Sequence, residues 1–342
     1  PMQWSPFKPS KGRRFVEVLN KALNKIMKEH SEVFLFGEDI ESPYGGAFKV
    51  TNKLSDEFPG RVRNTPISEA CIVGVGAGMG LSGFVPIIEI MFGDFLGLAF
   101  DQIINHAAKF NQMYADQVQT NLIIRTPMGG GKGYGPTHSQ TLDKHFFGIP
   151  GITVIAINNY FDPHEIFKQL IKKKYGPALL IENKSMYGSF YNNNIPEGFT
   201  FKKSNAPMPD ILISPNSMKI DITFIGYGGI SDVLIQACEI LFQKHDLLAQ
   251  TLLISQIYPL KITDYIDHIS QSKAIIVVEE GQGFSGFGSE ILTQLYESDF
   301  NNFKVRRVYA EPICIPSSGL LEGEVLPGID KIIETALSLE IL

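Results

Sequence analysis

Phe15, Val18, Leu19, Ala22, Leu23, Ile26 and Met27 recur at spacings of three and four, which predicts an amphipathic helix ending near His30. The apolar run Val33 to Phe36 then reads as a short buried strand. Gly37-Glu38-Asp39 sets two carboxylates at its carboxyl end, where parallel sheets hold their ligands. The alternation continues with a helix from about Glu69, strand Val85 to Ile90, helix Phe95 to Met113, strands Asn121 to Arg125 and Ile152 to Ala156, helix Pro163 to Ile171 and strand Ala178 to Glu182. It resumes with strand Ile222 to Gly226, helix Ser231 to Phe242, strands Thr251 to Ile254 and Ala274 to Glu279, a helix from about Gly288 and strand Lys304 to Tyr309. Strands alternating with helices predict an α/β protein with two parallel-sheet domains. Between the two halves, Tyr187 to Lys219 carries Asn192-Asn193-Asn194 and several prolines. That composition predicts an ordered connection over the surface, so the domains are placed at 1–186 and 220–342, with 187–219 joining them.

With 342 residues the chain exceeds the usual size of one core, and a hydrophobic content of 44% is ample for two. The net charge of -6 argues against nucleic acid or an anionic membrane as the main partner, because both select excess positive charge. Cys71, Cys238 and Cys314 are odd in number and far apart, which fits a reducing compartment better than a disulfide framework or a zinc site. No apolar run is long enough to span a bilayer, and Met91 to Phe100 is interrupted by Asp94. Pro1 to Arg14 lacks the apolar core of a secretion signal, and Pro1, ahead of Met2, is left out of the fold reasoning. The expected location is cytoplasmic, or the mitochondrial matrix if a targeting segment has been removed.

Thr65-Pro66-Ile67-Ser68-Glu69 leads into a run studded with small residues, Ala70, Gly74, Gly76, Ala77, Gly78 and Gly80. It mounts a carboxylate at the head of a helix that others can approach closely. A carboxyl group kept dry there resists ionisation and can share a proton with a ring nitrogen. Taken alone, the pentapeptide is read as ordinary helix-start chemistry, with proline and an acidic residue in the first turn. A dinucleotide fingerprint on Gly74, Gly76 and Gly80 is disfavoured, because it requires a strand just before the first glycine.

Taken in order, Gly37-Glu38-Asp39, Gly46-Ala47-Phe48-Lys49-Val50, Thr65 to Glu69, Phe100-Asp101-Gln102, Thr137-His138-Ser139-Gln140 and Pro150-Gly151 resemble the beta subunit of the thiamine-diphosphate-dependent decarboxylating component of 2-oxoacid dehydrogenases. The resemblance runs from about Phe15 to the carboxyl end. It implies a pyrimidine-binding α/β fold followed by a transketolase C-terminal-like domain. It also implies that Glu69 hydrogen-bonds the aminopyrimidine of the cofactor and favours the imino tautomer that deprotonates the thiazolium carbon. Phe95 would stack on the pyrimidine, a role for which plain core packing is the alternative. His138 would face the reacting carbon or an incoming lipoyl dithiolane, since imidazole exchanges protons near neutrality. Without the resemblance, a surface histidine in a glycine-rich loop is the simpler reading. A phosphate cradle from Gly129 to Gly135 lacks its Gly-Lys-Ser/Thr ending. Glu38 would lie near the cofactor, with a structural role equally open. The glycine-rich segment after Glu279-Glu280 is read as packing and interface.

No Gly-Asp-Gly stretch with a downstream asparagine supplies magnesium ligands, so no metal residue is assigned in this chain. By resemblance an alpha subunit brings Mg2+ and the diphosphate half, in an alpha2-beta2 heterotetramer. The other expected partners are a small 2-oxoacid and a lipoylated dihydrolipoyl acyltransferase component. Two positions depart from the pattern: Gly148 stands where relatives commonly carry histidine, and Lys174 replaces an aspartate of a monovalent-cation site. Three other functions stay open: an acetoin-cleaving or carboligating thiamine enzyme with a non-lipoyl acceptor, a scaffold without turnover, and, least favoured, a nicotinamide dehydrogenase.

Overall fold

The computed structural model describes residues 2–8, 12–172, 175–190, 196–217, 219–298, 303–339 and 341. The strands in chain order are β1 (Trp4–Pro6), β2 (Val33–Gly37), β3 (Val62–Asn64), β4 (Val85–Glu89), β5 (Ile123–Met128), β6 (Thr153–Ala156), β7 (Ala178–Asn183), β8 (Phe199–Ser204), β9 (Ile211–Pro215), β10 (Ile220–Gly226), β11 (Ala249–Leu253), β12 (Gln256–Tyr258), β13 (Ser272–Gln282) and β14 (Lys304–Ala310). They form two seven-stranded sheets, ordered β12-β6-β7-β5-β4-β2-β3 and β1-β8-β9-β11-β10-β13-β14.

Both sheets have parallel centres, as the alternation predicts, but both are mixed. In the first, β12 runs antiparallel to β6. In the second, β9, β8 and β1 continue the sheet antiparallel from β11. The short link from β8 to β9 allows only a hairpin, since parallel neighbours need a long crossover. β8 and β9 lie inside 187–219, the stretch read from sequence as a connection; Asn192 to Asn194 fall outside the described residues. Phe199 and Phe201 are buried on either side of an exposed Thr200, a period of two that the surrounding polar residues obscure.

The helix at Phe15–Glu29 buries the six apolar positions Phe15, Leu19, Ala22, Leu23, Ile26 and Met27. The single helix expected over 95–113 is instead a 3-10 turn at Gly93–Ala99, a π turn at Gln102–Ala107 and a short α-helix at Phe110–Met113. Gly151 packs against this segment, where a Cβ would lie 2.0 Å from the carbonyl oxygen of Ala108, so only glycine allows the approach. Buried apolar residues from both halves share one core, with Ile155 and Tyr160 in the same cluster as Ile222 and Phe224.

Candidate active site

Glu69 is the first residue of the helix Glu69–Leu81, with Ser68 as N-cap and Pro66 two residues further upstream. It sits there because β3 pairs with β2, Gly37 opposite Asn64, and the amide of Thr65 donates to the carbonyl of Gly37 at 2.9 Å. The same pairing puts Glu38, just beyond β2, beside Glu69. Both carboxylates are 5% exposed. Burial, followed by the charges of Glu69, Asp39 and Glu89, pushes the Glu38 carboxyl up to about 7. Its Oε1 is buried without a hydrogen-bond partner, and none reaches the Glu69 carboxylate among the described residues.

The helix sorts its small residues onto two faces. Gly76 and Gly80 point inward: a Cβ on Gly76 would lie 2.8 Å from Leu122 Cδ1, and one on Gly80 would lie 3.0 Å from the amide nitrogen of Asn121. Outward, Cys71, Gly74, Val75 and Gly78 are exposed, and nothing lies within 4 Å of a Cβ on Gly78.

At the neighbouring strand end, beyond β4, Phe92, Phe95 and His138 meet edge to face. The imidazole centroid lies 4.8 Å from Phe92 and 5.3 Å from Phe95. Phe95 is half-buried, packed against the apolar core on part of its surface. The His138 Nδ1 pairs with the Thr137 hydroxyl at 2.9 Å, which leaves Nε2 as the nitrogen free to exchange a proton. The two carboxylates and the aromatic group thus occupy the carboxyl ends of adjacent strands β2, β3 and β4.

The glycine loop before His138 is no phosphate cradle, because its amides already hold carboxylates. Gly131 and Gly133 donate to the two oxygens of Glu322 at 2.9 and 2.8 Å, and Gly130 donates to Glu280 at 2.6 Å. The segment after β13 is likewise self-satisfied. Glu279 accepts the amide of Gly288 at 3.0 Å, and burial pushes its carboxyl up to about 7. Gly148 is exposed with φ +77°, a left-handed conformation that glycine adopts without strain. Lys174 lies outside the described residues.

Sequence reasoning missed the charges beneath these groups. Arg125, Glu89 and Glu182 form a buried cluster under the site, and Lys184 lies buried beside the His138 loop. The only sequence signal was a charge inside each apolar strand, and it becomes legible once the pairing of β4, β5 and β7 is known.

A thiamine pyrimidine suits what is present: a buried carboxylate lacking a partner at a helix head, a second one holding its proton, and an aromatic face beside an imidazole. No helix among the described residues is long and apolar enough to cross a membrane.

The transketolase pyrimidine-binding domain matches residues 12–189 and the transketolase C-terminal domain matches 215–332. The chain therefore belongs to the transketolase-like family, in the branch of the beta subunits of 2-oxoacid dehydrogenase E1 components. Among its relatives, the mitochondrial pyruvate dehydrogenase E1 subunit beta of Pisum sativum is 30% identical over 96% of this chain and 91% of its own length. The beta-1 subunit of Oryza sativa is 30% identical over 94% of this chain and 84% of its own. The acetoin:2,6-dichlorophenolindophenol oxidoreductase subunit beta of Bacillus subtilis is 28% identical over 94% and 96%. A split-gene transketolase, solved as an inactive beta4 tetramer, superposes with a TM-score of 0.75 at 19% identity over 96% of this chain and 98% of that one. That likeness speaks for the fold.

Proposed function

We propose that the chain is the beta subunit of a thiamine-diphosphate-dependent 2-oxoacid dehydrogenase, which oxidatively decarboxylates a 2-oxoacid and passes the acyl group to a lipoylated dihydrolipoyl acyltransferase. The observation that carries this reading is Glu69, shielded, without a partner among the described residues and placed at the head of a helix whose outer face exposes Gly74 and Gly78.

The cofactor, when bound, supplies the electron sink for loss of carbon dioxide. Glu69 accepts a hydrogen bond from the pyrimidine ring and fixes its tautomer. Glu38, which holds its proton up to about pH 7, is the adjoining station for that proton. Phe95 offers a flat apolar face to the ring at small entropic cost. His138 exchanges a proton with the substrate or the acceptor through Nε2. The diphosphate and its Mg2+ fall to an alpha subunit, because this chain carries no motif for them. The bare face of the Glu69–Leu81 helix supports close packing against such a subunit, in an alpha2-beta2 assembly.

The test is Glu69→Gln in the complex reconstituted with the alpha subunit. It keeps the side-chain volume and removes the acid, so turnover is expected to be lost while assembly remains measurable. Unchanged turnover would remove the assignment. The Bacillus subtilis relative favours a second reading, in which the acceptor is a dye or another non-lipoyl group. Offering lipoyl domain and 2,6-dichlorophenolindophenol in parallel decides between them.

A further inference from the structure

Lys184, directly after β7, is 1% exposed, and its ammonium donates to the main-chain carbonyl of His138. Its own amide donates to the carbonyl of Met128 at 3.0 Å, the residue from which the glycine loop departs. The ammonium also lies 5.3 Å from the ring centroid of Phe92, which packs on the His138 imidazole. Lys184 thus touches the root of the loop, its functional residue and the aromatic wall behind that residue.

Three carboxylates surround this cation, and each holds another part of the same loop. Glu322, 1% exposed and contributed by the second domain, takes the amides of Gly131 and Gly133. Glu280 takes Gly130, and Asp94 takes the amide and side chain of Gln140, both at 3.1 Å. Burial draws Lys184 below the ordinary lysine value, and Asp94, Glu280 and Glu322 pull it back towards its charged form. A buried cation balanced by several carboxylates costs desolvation, and its bonds go to loop backbone.

We propose that Lys184 is a positioning residue for His138: by holding the His138 carbonyl, with Glu322 holding the glycines upstream, it fixes the imidazole at the reacting centre. The proposal rests on His138 acting in proton exchange. It gives the second domain, through Glu322, a direct grip on a catalytic loop of the first.

The test uses the reconstituted complex with Lys184→Met, Lys184→Arg, Glu322→Gln, His138→Ala and the Lys184→Met/His138→Ala pair, together with tryptic cleavage at the exposed Lys132 inside the loop. Lys184→Met is expected to speed cleavage at Lys132 and to lower kcat about a hundredfold, as a misplacement of the order of 1 Å does, with KM within about twofold. Lys184→Arg should restore most of both. The pair should be no slower than His138→Ala alone, because the two residues act as one unit. If Lys184→Met does not fold, Glu322→Gln, which sets an NH2 against one of the two amides and leaves a neutral oxygen for the other, carries the same expectation for cleavage and kcat. Unchanged cleavage and kcat beside an inactive His138→Ala overturns the proposal and leaves the function standing. Full turnover by His138→Ala removes His138 from the chemistry and overturns the proposal, while the function carried by Glu69 is decided separately by Glu69→Gln.

Discussion

Arg125 holds Glu182 with two parallel bonds, Nε to Oε1 at 2.8 Å and Nη2 to Oε2 at 2.6 Å, where neither side chain meets water. The remaining arm of the guanidinium donates to Glu89, and the Tyr187 hydroxyl donates to Glu182 at 2.5 Å. One cation therefore serves two carboxylates inside the first sheet, and the charge of one of them, Glu89, acts on Glu38. Burial pushes Glu89 up and Arg125 draws it back, so the balance depends on the guanidinium.

Arg125→Met removes the cation and strands two buried carboxylates. Breaking one side of such a pair typically costs about 3–5 kcal/mol. A urea titration of the chain should show the unfolding midpoint fall accordingly. Arg125→Lys should fare little better, since an ammonium cannot make the paired bonds. A midpoint within error of the parent would show that the cluster carries no such role.

The Glu38 carboxyl gives a stability signature whose sign is fixed by its environment. Its folded value is raised from 4.5 to about 7, so between those limits the folded state binds more protons than the unfolded chain. Its contribution is therefore fully present below about pH 4.5 and is lost as pH rises through 7. Glu38→Gln keeps the shape without the charge. It should melt at a higher temperature than the parent at pH 8, with the gap closing as pH falls towards 4.5. A gap that stays constant with pH would mean that Glu38 ionises freely.

The sequence carried the parallel centres of both sheets and the head of the Glu69 helix, because apolar period and strand-end carboxylates are local signals. Non-local features stayed hidden. β8 alternates Phe199 with Thr200 and Phe201, yet continues through Lys202 and Lys203 to Ser204, charges that read as loop until β9 and β1 flank them. β12 has three residues and belongs to a sheet built by the other half of the chain, which no window around Gln256 reveals. The charges at Arg125 and Lys184 sit at strand interiors and ends where propensity favours neither; only long-range pairing accounts for them. Phe95 and His138 are legible only through the family resemblance, and their edge-to-face contact at 5.3 Å depends on the fold bringing two distant segments together.

The two glycine faces of the Glu69–Leu81 helix should respond oppositely to a methyl group. On Gly76 it meets Leu122 at 2.8 Å and Ile88 at 3.2 Å, an overpacking that costs about 1–3 kcal/mol. The gain in helix propensity, about 1 kcal/mol, offsets only part of that. On Gly78 the methyl meets nothing within 4 Å, so Gly78→Ala should stabilise the isolated chain by up to about 1 kcal/mol. Gly78→Leu separates folding from assembly: the side chain projects from an exposed turn and leaves the core untouched, but fills the space a partner helix needs. Its unfolding midpoint should be no lower than the parent's, since leucine also favours the helix, while sedimentation with the alpha subunit shows unassembled chains. Normal assembly of Gly78→Leu would mean that the bare face is turned to solvent in the complex, and the partner would then have to reach Glu69 from another side.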